Sequence, residues 1–245
     1  MNLTINNRIN FCDKFLAPIA RLSDMSILTI TDNTITSLCK TIDNNTILLS
    51  KYSDISCSAT NSVNLNISDI KKLIKLLDAL DDVAVELKIN SNNIEYVSPN
   101  VKFKFHLLED GIIAPLGHSH KKIEQFEYDC KFSVEIDTIN KLLKSSAFIT
   151  DSNKIYIQTT GDAVQCELTD KSKHNIDSFA MQLADFYIGN QIGNGIPFTF
   201  DLFRNIATLK VAKLEFSINT IKSIMCIDVI DDTTKLKYVS TGKVI

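Results

Sequence analysis

The chain has 245 residues, 44% hydrophobic and 22% charged, which is ordinary for a globular protein and enough for two modest domains with their own cores. Its formal net charge of −3 and sequence pI of about 5.8 do not by themselves point to nucleic acid. There is no run of about 18 apolar residues to suggest a transmembrane helix. The polar stretch from Met1 to Asn10 lacks the apolar segment of a signal peptide, which predicts a cytoplasmic chain with no membrane partner.

In chain order, Arg8 to Leu22 places Ile9, Phe15, Leu16, Ile19 and Leu22 at helical spacing, with Pro18 expected to kink or shorten that helix. Strand-like runs follow at 26–31, 35–40, 47–51 and 63–67, the first two separated by the turn residues Asp32 and Asn33. Ser68 is the expected N-cap of a helix over 69–80, whose stripe is Ile70, Leu73, Ile74, Leu77 and Leu80. Period-two alternation then predicts strands at 83–89, 94–97 and 101–107. The second half repeats the order: a strand at 132–136, a helix at 137–148, and strands at 154–159, 163–168 and 176–183. A short strand at 198–200, a helix at 201–209 and strands at 213–218, 224–229 and 236–240 complete it. Helices followed by meandering strands imply an α+β class with antiparallel sheets and two helices on one face of each half. The expected divisions are a domain at 1–110, a connector at 111–129 and a domain at 130–245.

This doubled order, the leucine-rich helix 69–80, the long connector and the short length resemble the sliding clamps, the DNA polymerase processivity factors of the proliferating cell nuclear antigen type. Among these the chain looks most like the clamps of T-even-type bacteriophages. The resemblance implies the DNA clamp fold, no catalysis, and a closed homotrimeric ring whose helices line a central hole around double-stranded DNA. It also implies a DNA polymerase and a clamp-loader ATPase as partners, in a host bacterial cytoplasm if the protein is phage-encoded. The alternative is a monomeric processivity subunit of the herpesvirus kind, with the same duplicated fold and no ring.

Charge is segregated by element. The four helical segments carry Arg8, Lys14, Arg21, Lys71, Lys72, Lys75, Lys141, Lys144, Arg204 and Lys210 against five aspartates, a net of +5 in a chain of net −3. A solvated outer face is the bland explanation for any one helix. Its repetition in all four favours phosphate contact without sequence reading, and these ten residues are the expected DNA-binding set. For ring closure, the strand edges expected to pair between subunits carry Val101, Phe103, Phe105 and Leu107 on one chain and Ile176, Phe179 and Met181 on the next. By the resemblance, partner peptides dock beside the connector, at Ile112, Ile113 and Leu116 with Ile42, Ile47, Tyr238 and Val239.

No catalytic, cofactor or metal motif accompanies these features. Cys12, Cys39, Cys57, Cys130, Cys166 and Cys226 are widely spread without a Cys-x-x-Cys pair, and read as reduced structural thiols. His118 and His120 have no Cys or carboxylate at ligand spacing, and Gly189, Gly193 and Gly195 lack the Gly-Lys-Ser/Thr of a phosphate loop, reading as a flexible link.

Overall fold

The computed structural model describes residues 1–58, 61–114, 116, 123 and 125–242; His118, His120 and Pro115 lie outside them. The chain divides into two compact units, one of residues 1–42, 47–121 and 230–236, the other of 43–46, 122–229 and 237–245. Two short segments therefore change sides relative to a division at the connector. Residues 230–236 stay with the first unit because Ser53 N–H donates to the Thr233 carbonyl at 2.9 Å and Lys14 pairs with Asp231. Residues 43–46 stay with the second because Thr241 N–H donates to the Asn45 carbonyl at 3.1 Å.

In the first unit the strands are β1 (Asn2–Ile5), β2 (Ser26–Thr31), β3 (Thr34–Lys40), β4 (Thr46–Tyr52), β5 (Ile55–Cys57), β6 (Val63–Ile67), β7 (Val85–Ile89), β8 (Asn93–Val97) and β9 (Lys102–His106). They pair antiparallel in the orders β5-β1-β7-β8-β9 and β4-β3-β2-β6. The β2–β3 connection is tight because Asp32 and Asn33 both take positive φ, 46° and 58°, the twist a two-residue hairpin needs and these residue types tolerate.

Helix α1 runs over residues 8–22 without a break at Pro18. A turn of α-helix at Arg8–Asn10 leads into a π-helical stretch, Phe11–Leu16, and then α-helix at Ala17–Leu22. The Ala17 N–H bonds the Cys12 carbonyl, five residues back. This wider winding gives the proline ring room where an α-helical path would press it against a carbonyl. Ile9, expected inside, is 49% exposed, and Phe11 and Cys12 are buried instead. Helix α2 (Ile70–Asp78) starts one residue later than the expected cap: Asp69, not Ser68, accepts from the Lys72 N–H at 2.8 Å. Under the helices Phe11, Phe15 and Tyr52 cluster with ring centroids 5.2–5.9 Å apart, and Ile19, Leu73 and Leu77 of the helices are buried as well.

The second unit holds β10 (Cys130–Glu135), β11 (Lys154–Thr160), β12 (Ala163–Leu168), β13 (Phe179–Ala184), β14 (Ile188–Gly189), β15 (Ile196–Thr199), β16 (Lys213–Asn219), β17 (Ile224–Ile230) and β18 (Thr234–Thr241). The pairing orders are β14-β10-β16-β17-β18 and β13-β12-β11-β15. Its helices are α3 (Ile136–Ser145) and α4 (Phe200–Ile206). Phe200, Phe203, Phe216 and Phe132 stack in a chain with centroids 5.2–6.2 Å apart, the counterpart of the first unit's aromatic cluster. Gly189 is not a flexible link. It sits in β14 at φ 108°, where a Cβ would overlap the Asp129 carbonyl.

Candidate functional site

Each unit presents one helix whose outward face is basic. In α2 the burial of Ile70, Leu73 and Leu77 turns Lys71, Lys72 and Lys75 outward. In α3 the burial of Ile139 and Leu142 does the same for Lys141 and Lys144. Lys71 Nζ lies 2.8 Å from Asp24 Oδ1, and that hydrogen bond raises its pKa; both partners are exposed, so the pair is loosely held. Among the described residues, Lys72, Lys75, Lys141 and Lys144 make no ion pair, so their ammonium groups are left to solvent.

The other expected cations are placed differently. Arg8 is buried, its Nε donating to the Asp82 carbonyl at 3.0 Å and its Nη1 3.5 Å from Asp78. Its charge is turned inward, so it ties α1 to the end of α2 rather than facing a ligand. Lys14 pairs with Asp231 at a half-buried position and holds that carboxyl below its usual pKa. Arg204 pairs with Asp201 and lies 4.8 Å over the Phe200 ring. Arg21 and Lys210 are exposed.

A cavity of about 380 Å³ lies on the first unit, lined by the half-buried outward side chains of β2 and β3, with Ile42 and the connector residues Ile113, Ala114 and Leu116. Ile42, Ile113 and Leu116 stand where a partner pocket was expected. Ile47 and Ile112 do not line it, and Ile112 is 62% exposed. Tyr238 and Val239 are both buried in β18; as neighbours they face opposite sides of the strand, which is covered on both faces there. The sheet floor went unpredicted: Met25, Ile27, Thr29, Thr36 and Leu38 follow ordinary strand alternation, and only the connector's path over them makes a pocket.

The strands expected at subunit edges are β9, at the end of the order β5-β1-β7-β8-β9, and β13, at the end of β13-β12-β11-β15. Their side chains differ from expectation. Phe103 and Phe105 point into the unit's own core, Phe103 stacking on Tyr96 at 5.7 Å, so β9 offers its main chain and the exposed Lys102, Lys104 and His106. Val101 precedes the strand and Leu107 leaves it to bridge Ile67. Ile176 falls outside β13, which begins at Phe179; Phe179 meets the exposed Phe148 edge-on at 6.4 Å, and Met181 is half-buried opposite Cys166.

Five of the six cysteines are buried and all are free. Burial pushes the Cys39 and Cys166 thiols up to about 12 and those of Cys130 and Cys226 to about 11, so none of these four is poised as a nucleophile. Among the described residues, no three His, Cys, Asp or Glu side chains gather in metal-binding range, and no helix is long and apolar enough to cross a membrane.

Solved structures share this architecture along its whole length. The PCNA of A. fulgidus, solved with the C-terminal region of FEN-1 bound, aligns with a TM-score of 0.79 at 11% identity, over 100% of this chain and 98% of that one. The chain has the fold of the PCNA-type sliding clamps. The proliferating cellular nuclear antigen of Entamoeba histolytica aligns equally well, at a TM-score of 0.79 and 16% identity over 99% and 98% of the two chains. A putative DNA polymerase III beta subunit from Eubacterium rectale gives a TM-score of 0.75 at 13% identity, with 100% of this chain spanning 66% of the longer one. No protein-family model matches the sequence, and no curated protein does. On this clamp fold the likeness is carried by element order and packing, since so few side chains are shared.

Proposed function

We propose that the protein is a sliding clamp: a ring of three chains that encircles double-stranded DNA, tethers a DNA polymerase and has no catalysis of its own. The observation that carries this reading is the end-to-end match to PCNA chains, with 98% of their length covered. The chain spans only 66% of the longer beta subunit, which supports a ring that takes more copies of this shorter chain, three in this reading. The edge strands β9 and β13 differ from each other, and a head-to-tail pairing that uses both leaves neither of these two edges open once the ring closes. Lys72 and Lys75 with Lys141 and Lys144 supply phosphate contacts without sequence reading, which sliding requires.

Loading such a ring calls for a separate ATPase, because the chain carries no nucleotide-binding motif. Polymerase and loader would engage the cavity beneath the connector through short apolar peptides, in the cytoplasm where the DNA is replicated. Light scattering tests the assembly directly. About three chains per particle, together with salt-dependent retention on circular DNA, support the ring. One chain per particle returns the reading to a monomeric processivity subunit.

A further inference from the structure

The lining of the connector cavity has a charge asymmetry that bears on what occupies it. Its floor is the outward face of β2 and β3, where Met25, Ile27 and Leu38 are apolar and Thr29 and Thr36 carry hydroxyls. Among the described residues, Lys40 is the only charged side chain in the lining, and none of those residues contributes a carboxylate. Lys40 is exposed at the end of β3 and makes no ion pair among the described residues. The next strand reinforces it: Lys51 of β4 pairs in register with Thr36, which places it on the same outward face, exposed and likewise without an ion pair among the described residues. At 380 Å³ the cavity is of a size that takes a few apolar side chains.

We infer that this groove selects an apolar peptide segment of a partner protein that also carries an acidic residue, with Lys40 as the specificity-determining cation. The inference rests on the peptide-docking reading of the groove and adds the partner's charge to it. Two lysines without a counterion on one strip of sheet repel a basic peptide and attract an acidic one, while the apolar floor supplies most of the contact area. The discrimination is electrostatic at an exposed site, so it fades as salt rises.

The test uses the full chain and short fluorescein-labelled peptides that carry Leu and Phe anchors and a central Asp, Asn or Lys, with binding followed by anisotropy. The expected order is Asp over Asn over Lys, with about fivefold between the extremes at low salt. Lys40→Glu should reverse that order and Lys40→Ala should flatten it, with the circular dichroism spectrum unchanged because Lys40 is exposed. If the Asn peptide binds and Ile113→Asp abolishes that binding, the groove itself is a docking site. Equal affinity of the three peptides under that condition overturns the role of Lys40 and leaves the docking reading standing. Binding of no peptide overturns both.

Discussion

Arg8 Nε donates to the main-chain carbonyl of Asp82 at 3.0 Å, fastening the start of α1 to the loop that follows α2. Summing charges by helix counts Arg8 among the cations expected to face DNA, yet its guanidinium is inside and engaged. Arg8→Ala should therefore lower stability by about 1–3 kcal/mol, since it removes a charge-assisted hydrogen bond and leaves a carbonyl poorly satisfied. Urea unfolding midpoints would register that loss. The salt dependence of DNA association should stay as in the parent protein; a shallower salt slope in the variant would return Arg8 to the DNA-binding set.

Lys72 and Lys75 are the opposite case, exposed and without ion pairs. Changing both to Ala should leave folding and assembly intact, because neither side chain packs or pairs. Each phosphate deprived of its lysine flattens the plot of log K against log salt by roughly 0.9. The paired change Lys141→Ala with Lys144→Ala should act the same way through the second unit. An unchanged slope in both double variants would mean that the basic faces are merely solvated.

This contrast explains what could be read in the sequence. Helices α2 and α3 and most strands were legible because Leu73, Leu77, Ile139 and Leu142 recur at helical spacing, and because Val85, Leu87 and Ile89 alternate; the short strands β1, β5 and β14 were not, being too brief to show a period. The winding of α1 was not, since Pro18 signals a break and nothing local announces a π-helical stretch that absorbs it. Which cations were already paired was hidden too. The partners of Arg8 and Lys14, Asp82 and Asp231, lie 74 and 217 residues away. Part of the groove was visible in Ile113 and Leu116, whose apolar character stands out in a connector. Its floor was not, for Ile27 and Leu38 look like any half-exposed strand residues.

Asp170 predicts an acid limb to stability. Lys154 Nζ at 2.8 Å and the Ser172 hydroxyl at 2.6 Å hold its carboxyl at about 2, against an ordinary 3.8. A depressed folded-state pKa stabilises fully above the unfolded value, and the gain disappears as pH falls through the folded one. The Asp170 contribution should thus be whole above pH 4 and drain away between there and pH 2. Asp170→Asn should be less stable than the parent at neutral pH, with the two converging at the acid end. Unfolding midpoints measured across that range check it; parallel curves would assign the acid sensitivity to other carboxylates.

The two strand edges differ in what a substitution there should do. Phe105 is 2% exposed, so Phe105→Asp puts a charge in the first unit's core and should abolish folding, which circular dichroism would report. Phe179 is only half-buried on the edge strand β13, against Phe148, which is 57% exposed. An apolar pair that open, beside unpaired main chain, is the side-chain part of the proposed subunit contact. Phe179→Asp should accordingly shift the particle from three chains to one while the unit keeps its fold, since the aspartate can reach water in the separated chain. Light scattering and circular dichroism on the same sample separate the outcomes. A folded trimer after Phe179→Asp would remove β13 from the interface, and with it the head-to-tail closure that joins it to β9.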